Sequence, residues 1–335
     1  MKLLVTGGAG FIGSNFVKWL HKFDKNIHIT NLDALTYSGN LENIKDLLNS
    51  DRHTFVKGDI CDSSITDDLI AKTDMVINFA AESHVDRSIT GPKEFIQTNI
   101  FGTFNLLESV RKTSPKIRFV QVSTDEVYGS LGSTGKFTEE TPLAPNSPYS
   151  SSKASSDLLV RSYQHTFGFD TITTRCSNNY GAYQFPEKLI PLMIHRASNN
   201  QKLPVYGDGK NVRDWIHVLD HSKGIWMAAT KGISGEVYNF GSDNEWENIK
   251  IVKELLQLLG KPESLIEYVK DRPGHDKRYA IDSSKAHKEL GWKPEIGFDT
   301  GLKSTIDWYL SNKEWLTSVT SGCYKDFYQK WYSRS

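Results

Sequence analysis

The sequence predicts an α/β protein, a doubly wound parallel sheet followed by a smaller α/β domain. Three observations carry the prediction. Short apolar runs alternate with amphipathic segments through the first half of the 335 residues. A glycine-punctuated turn follows the first run directly and opens the next segment. Beyond Arg175 the alternation loosens into shorter, mixed elements. Strands alternating with helical segments imply crossover units, and hence a sheet covered on both faces.

Taken in order, the apolar runs read as strands at Lys2–Thr6, 27–32, His53–Lys57, Met75–Asn78, 118–123 and 170–175. Helical periodicity fills the gaps at 14–23, 41–48, 65–71, 94–112 and 149–167. In the second half, strands are expected at 204–206, 215–217, Val237–Phe240 and Ile266–Val269. Helices are expected near Leu189–Ser198, 219–230, 249–259, 284–290 and 300–311. The domain boundary is placed between residues 1–177 and 178–335, with about 210–240 expected to pack back on the first domain. The stretch from Lys313 onward is rich in Trp and Tyr and suggests no role.

Forty Lys and Arg balance forty Asp and Glu, with no basic stripe, which argues against nucleic acid and anionic membrane as partners. No apolar stretch approaches the roughly 20 residues that span a bilayer. The start reads as a strand rather than a signal peptide. Cys61, Cys176 and Cys323 lie far apart, without metal or disulfide spacing. They are expected to be reduced thiols of a cytoplasmic protein, and no metal is expected.

Gly7, Gly10 and Gly13 follow the first strand. The first permits a tight turn, the second a close approach of backbone to a pyrophosphate, and the third tight packing of helix on sheet. The free N–H groups of the helix start then favour phosphate. Asp33 ends the second strand about 20 residues on, where a carboxylate accepts from a ribose 2′-hydroxyl and repels a 2′-phosphate. This is the Rossmann arrangement, and NAD is expected rather than NADP. Asp59, after the third strand, suits either the adenine amino group or a capping role.

Two further motifs carry chemistry. Ser123-Thr124-Asp125-Glu126-Val127-Tyr128-Gly129 ends a strand, and Tyr149-Ser150-Ser151-Ser152-Lys153 opens a helix. Four-residue spacing puts Tyr149 and Lys153 on one helical face. A phenol acting as base at a carbinol must fall from about 10 toward 7, roughly 4 kcal/mol. An ammonium about 4 Å away supplies roughly that at an effective dielectric near 20, but only about 1 kcal/mol in water. Lys153, with a positive nicotinamide ring, must therefore act in a largely dry site. Asp125 beside Glu126 exceeds what alcohol oxidation needs and points to an elimination coupled to a redox step; a helix-capping pair is the plainer alternative.

These residues resemble the extended short-chain dehydrogenase/reductase superfamily and, within it, the dTDP-glucose 4,6-dehydratase family. The resemblance covers almost the full length. It includes Ala80-Ala81-Glu82-Ser83-His84-Val85-Asp86, Arg175-Cys176-Ser177-Asn178-Asn179-Tyr180-Gly181, Phe185-Pro186-Glu187-Lys188-Leu189 and Arg272-Pro273-Gly274-His275-Asp276. Ala182 departs from the pattern, where the family has proline. The resemblance implies an NAD site extended by Phe11, Ile12, Thr36, Ile60, Ala80, Ala81, Thr98, Ser123 and Asn179, with Tyr149 and Lys153 reaching both cofactor and substrate. It implies a sugar and nucleoside diphosphate held by Ser83, Thr124, Asn178, Lys188, Leu189, Val205, Tyr206, Arg213, Asn248, Arg272 and His275. Arginine forks at Arg213 and Arg272, in loop contexts, suit a diphosphate. His84 reads as a hydrogen-bonded structural histidine rather than a metal ligand.

The implied reaction is a lyase cycle on dTDP-glucose: oxidation at carbon 4, elimination of water across carbons 5 and 6, and hydride return to carbon 6. Tyr149 is the expected base, Thr124 its partner at the hydroxyl, Glu126 the base at carbon 5 and Asp125 the acid at the 6-hydroxyl. The rivals are a nucleotide-sugar 4-epimerase and a UDP-glucuronate decarboxylase of the same superfamily; neither expels a hydroxyl, so neither needs Asp125. A non-catalytic NAD sensor is a further alternative. The residue chemistry does not separate thymidine from uridine. The resemblance also implies a homodimer through helices 94–112 and 149–167, which equally could only cover the sheet.

Overall fold

The computed structural model describes residues 1–320, so Cys323 and the end of the aromatic tail lie outside the described residues. The first half supplies β1 (Lys2–Thr6), β2 (His28–Asp33), β3 (His53–Lys57), β4 (Met75–Asn78), β5 (Arg118–Thr124) and β6 (Thr171–Cys176). Between them run α1 (Phe11–Phe23), α2 (Ser63–Ile70), α3 (Val85–Thr90), α4 (Pro92–Phe95), α5 (Thr103–Thr113) and α6 (Pro148–Phe167). The second half adds β7 (Asn178–Tyr180), β8 (Leu203–Tyr206), β9 (Val212–His217), β10 (Val237–Phe240), β11 (Glu245–Glu247) and β12 (Ile266–Val269). Its helices are α7 (Leu189–Ser198), α8 (Val218–Lys231), α9 (Asn248–Leu258), α10 (Phe298–Ser311) and α11 (Lys313–Val319).

Seven strands form one parallel sheet in the order β10-β6-β5-β4-β1-β2-β3. The chain winds outward one way through β2 and β3 and the other way through β4, β5 and β6. The order therefore reverses between β1 and β4, where a doubly wound sheet opens its ligand crevice at the strand carboxyl ends. Apolar side chains fill both faces: Leu3, Val5, Phe16, Leu20 and Trp226 in one layer, Leu4, Val76, Leu106 and Phe119 in the other. A separate core around Met193, Trp215, Leu255 and Leu302 holds the second half together. β10 enters the large sheet from the second half, beside β6.

Three helical expectations change. The predicted helix over 94–112 is α4, a wider π-helical turn (Ile96–Gly102) and α5. Gly102 there leaves no room for a side chain, since a Cβ would lie 2.5 Å from Ile60 Cδ1. The expected helix 41–48 is a 3-10 helix, Leu41–Leu47, whose start is capped by the Asn40 side chain. The segment near 284–290 is π-helical over Ala286–Leu290. The start of the aromatic tail also proves structural: Trp315 in α11 donates to Asn43 Oδ1 at 2.7 Å, tying the tail to the first half.

Candidate active site

The crevice is built first by glycines. Gly7 has φ +71°, and a Cβ there would meet the Ala80 nitrogen at 2.6 Å, so both turn and packing require its bareness. A Cβ on Gly13 would lie 2.3 Å from the Gly7 carbonyl oxygen. Gly10 is different: its nearest neighbour would be 3.4 Å away, so packing does not require it and the open side faces the pocket. No side chain caps α1 at Gly10, which leaves the N–H groups of Phe11 and Ile12 for an anion.

Asp33 closes the far wall. Its oxygens accept from the Ala9 and Leu35 backbone N–H groups, both at 2.8 Å. Burial raises its pKa despite those bonds. Turn former and ligand acceptor are thus compatible roles, because a carboxylate has about four acceptor positions. Asp59 also does both: it accepts from Cys61 N–H at 2.8 Å and lines the pocket.

At the other end β5 terminates in Ser123 and Thr124, and a 3-10 turn (Asp125–Tyr128) follows, capped by the Thr124 hydroxyl. Asp125 is 1% exposed, and its Oδ2 is buried without a hydrogen-bond partner, as is Ser123 Oγ. Unpaired buried polar atoms are costly and mark a place where a ligand completes the bonding. Burial, then the charges of Glu126 and Asp214, hold the Asp125 carboxyl well above the usual range. Burial also raises Glu126, against the pull of Lys188, Arg272 and Arg213.

The helix α6 starts at a capping box of Ser147 and Ser150, with Pro148 in its first turn. That start fixes Tyr149 in the first turn and Lys153 one turn on, both buried against the pocket. The Lys153 ammonium donates to the Val122 carbonyl at 2.8 Å, and burial lowers its pKa. Burial, and next the Glu126 charge, drive the Tyr149 phenol well above its ordinary value. Burial and the neighbouring carboxylate thus oppose loss of the Tyr149 proton, and a positive group at the pocket would be needed to favour it.

A family model described as GDP-mannose 4,6 dehydratase matches residues 4–305. A dTDP-glucose 4,6-dehydratase of Xanthomonas campestris is 55% identical over 341 residues, covering 96% of this chain and 97% of the relative. Among solved structures, the dTDP-glucose 4,6-dehydratase of Bacillus anthracis in complex with NAD is 52% identical, with a TM-score of 0.89 over 95% of this chain and 99% of that one. The Streptomyces venezuelae enzyme of the same name, with NAD bound, is 46% identical, with a TM-score of 0.93 over 95% and 100%. The chain belongs to the dTDP-glucose 4,6-dehydratase family.

Against the family pattern, every expected cofactor residue lines one pocket: Gly7, Gly10, Phe11, Ile12, Gly13, Asp33, Thr36, Asp59, Ile60, Ala80, Ala81, Thr98, Ser123, Tyr149, Lys153 and Asn179. Ser83, Thr124, Asn178 and Lys188 line it too, with Asp125 and Glu126. Lys188 donates to the Ser83 carbonyl at 2.8 Å.

Leu189, Val205, Tyr206, Arg213, Asn248, Arg272 and His275 are not among the residues that line this pocket. Val205 is buried in the second core, so its side chain is not offered to a ligand. Leu189 opens α7 against the same core. Arg213 is not in a loop but within β9, lying 4.2 Å over the Tyr279 ring and donating to the Asp276 carbonyl. Asn248 heads α9 with its Oδ1 buried and unpartnered. Tyr206 and Arg272 both donate to Asp86, and His275 bonds Asp271 at 2.6 Å. His84 caps α3, accepting from the Arg87 N–H.

Sequence reasoning missed Glu82, Glu187 and Gln184, which also line the pocket. Glu187 accepts from Tyr37 and Arg87, both at 3.0 Å, which ties its loop to the segment after β2 and to α3. Both glutamates stand inside motifs already singled out; the signal was present but had no assigned chemistry.

Proposed function

We propose that this chain converts dTDP-glucose to dTDP-4-keto-6-deoxyglucose and water, with NAD as its resident cofactor. The observation that carries the reading is the buried Asp125 carboxyl, its Oδ2 without a partner, beside Glu126 at the pocket end that also holds Thr124, Tyr149 and Lys153. The bare Gly10 backbone, the uncapped α1 start, Asp33 and the orphaned Ser123 hydroxyl fit NAD.

When bound, NAD supplies a positive ring that favours the Tyr149 phenolate and an acceptor for the carbon-4 hydrogen, which is later returned at carbon 6. Tyr149, with Thr124 beside it, takes the proton of the 4-hydroxyl. The resulting ketone acidifies the hydrogen on carbon 5, and Glu126 removes it. Asp125, held protonated by burial and by its charged neighbours, gives its proton to the departing 6-hydroxyl, which leaves as water. Carbon 5 is reprotonated when the methyl group forms. Burial removes the water that would otherwise weaken each of these electrostatic terms.

Lys188, Arg213 and Arg272, whose charges reach Glu126, mark the side of the crevice for the diphosphate. The nucleobase and sugar contacts assigned to Ser83, Asn178, Leu189, Tyr206, Asn248 and His275 rest on the family pattern. An epimerase or decarboxylase leaves Asp125 without a task and is disfavoured. We read residues 1–177 as the cofactor domain and 178–335 as the substrate domain, the latter lending β10 to the large sheet. A homodimer is supported by exposed Ile96, Phe101, Phe104 and Leu158 on the α4–α5 and α6 segments. A cytoplasmic location is consistent with the reaction, and no helix among the described residues is long and apolar enough to cross a membrane.

Incubation with a panel of nucleoside diphosphate glucoses, read by alkaline absorbance of the 4-keto product, tests the reading. Turnover of dTDP-glucose ahead of UDP-glucose is expected. Formation of dTDP-galactose without the keto product overturns it.

A further inference from the structure

We propose that Asp86 is a positioning residue that holds the Arg272 guanidinium ready for the substrate diphosphate. The inference rests on the assignment of Arg272 to that diphosphate. Asp86 lies in the first turn of α3, three residues after Ser83, and is 3% exposed. Both of its oxygens are taken by the second half of the chain: Oδ2 accepts from the Tyr206 hydroxyl at 3.0 Å and Oδ1 from Arg272 Nη1 at 3.1 Å. A buried carboxylate spanning the two halves in this way joins the wall that carries Ser83 to the loop that carries Arg272 and His275.

The pairing has two consequences. A guanidinium largely withdrawn from water is stabilised by a partner, and among the described residues the ion pair of Arg272 runs to Asp86. Glu126 is near enough to feel the Arg272 charge yet forms no ion pair with it among the described residues, so its carboxylate stays available for a proton. The guanidinium is planar and rigid, so fixing Nη1 fixes the plane and aim of the other N–H groups. Of these, Nε is buried without a partner. A charge-assisted contact to phosphate oxygen is what such a fork lacks.

The test is Asp86→Asn, which keeps the shape and removes the charge, measured on NAD-loaded protein. The expected result is a rise of about tenfold to a hundredfold in KM for dTDP-glucose and in Kd for dTDP, with kcat within about twofold. Bound NAD stays at the wild-type level, while the thermal midpoint falls because the Arg272 charge has lost its partner; the KM rise at unchanged kcat is the part a merely structural pair would not produce. Asp86→Ser, which removes the charge and both contacts, carries the test should Asp86→Asn fail to fold, and it is expected to raise KM at least as strongly. Arg272→Lys raises KM as strongly as Asp86→Asn, and the double variant adds little, because the two residues act as one unit.

Two outcomes overturn the proposal while leaving the assignment of Arg272 standing. In the first, Arg272→Lys raises KM and Asp86→Asn does not. In the second, Asp86→Asn lowers kcat and the thermal midpoint at unchanged KM, the mark of a merely structural pair. If Arg272→Lys itself leaves both KM and dTDP binding unchanged, the assignment of Arg272 fails and takes this inference with it.

Discussion

The chemistry turns on the protonation of a few buried acids. Asp125 is raised by burial and by Glu126 and Asp214, which favours the protonated form that the proposed dehydration uses. Asp125→Asn should cut dehydration by about a hundredfold or more, in the range general acids contribute, while oxidation at carbon 4 survives. Reduced nicotinamide absorbance should then build up on the variant in the presence of dTDP-glucose; full-rate product formation would remove Asp125 from the mechanism. Glu82 offers a check through stability. Burial, then Glu187, pushes its pKa from 4.5 to about 7. The folded state therefore binds its proton more tightly than the unfolded chain, and stability falls as pH rises from about 4.5 to 7, then levels. The full shift corresponds to about 3 kcal/mol, and partial exposure reduces it to about 1–2 kcal/mol. Glu82→Gln should raise the thermal midpoint above wild type at pH 8 and match it near pH 4. A lower midpoint at pH 8 would contradict the electrostatic account.

At the scale of elements, the turn after β1 concentrates the constraints. Gly7→Ala puts a side chain at φ +71° and 2.6 Å from the Ala80 backbone, a strain of about 1–3 kcal/mol. We expect a lower thermal midpoint and loss of bound NAD, read by nucleotide release on denaturation; retention of NAD at wild-type stability would contradict the fit. This turn was legible beforehand, because the strand period, the glycine spacing and Asp33 all act over short sequence distances. The tyrosine–lysine helix was legible for the same reason. The π-helical turn at Ile96–Gly102 was not, since its residues keep the ordinary helical periodicity, and the close approach of Ile60 to Gly102 comes from a distant segment. The partner of Lys153 was hidden too, because the Val122 carbonyl lies 31 positions away and carries no sequence signature.

For the whole molecule, the two halves share a core and the β10–β6 pairing, and long-range pairs such as Asp86 with Arg272 and Asn43 with Trp315 add to these without any periodicity to announce them. The doubly wound sheet was readable from alternation alone; the entry of β10 beside β6 is a matter of tertiary packing. The apolar side chains left on the α4–α5 and α6 segments give a prediction at this scale. Ile96 and Leu158 are 57% and 55% exposed, which favours a covering surface. Phe101→Glu with Leu158→Glu should shift the protein from dimer to monomer in sedimentation; an unchanged sedimentation coefficient would place the interface elsewhere.

The central claim is that water leaves the sugar because carbon 4 is oxidised for the duration of one turnover and its hydrogen is kept inside the site. Turnover of dTDP-glucose deuterated at carbon 4, followed by mass and NMR analysis of the product methyl group, tests this most directly. The account predicts deuterium at carbon 6 in every product molecule, with none lost to solvent. A methyl group free of deuterium would contradict it.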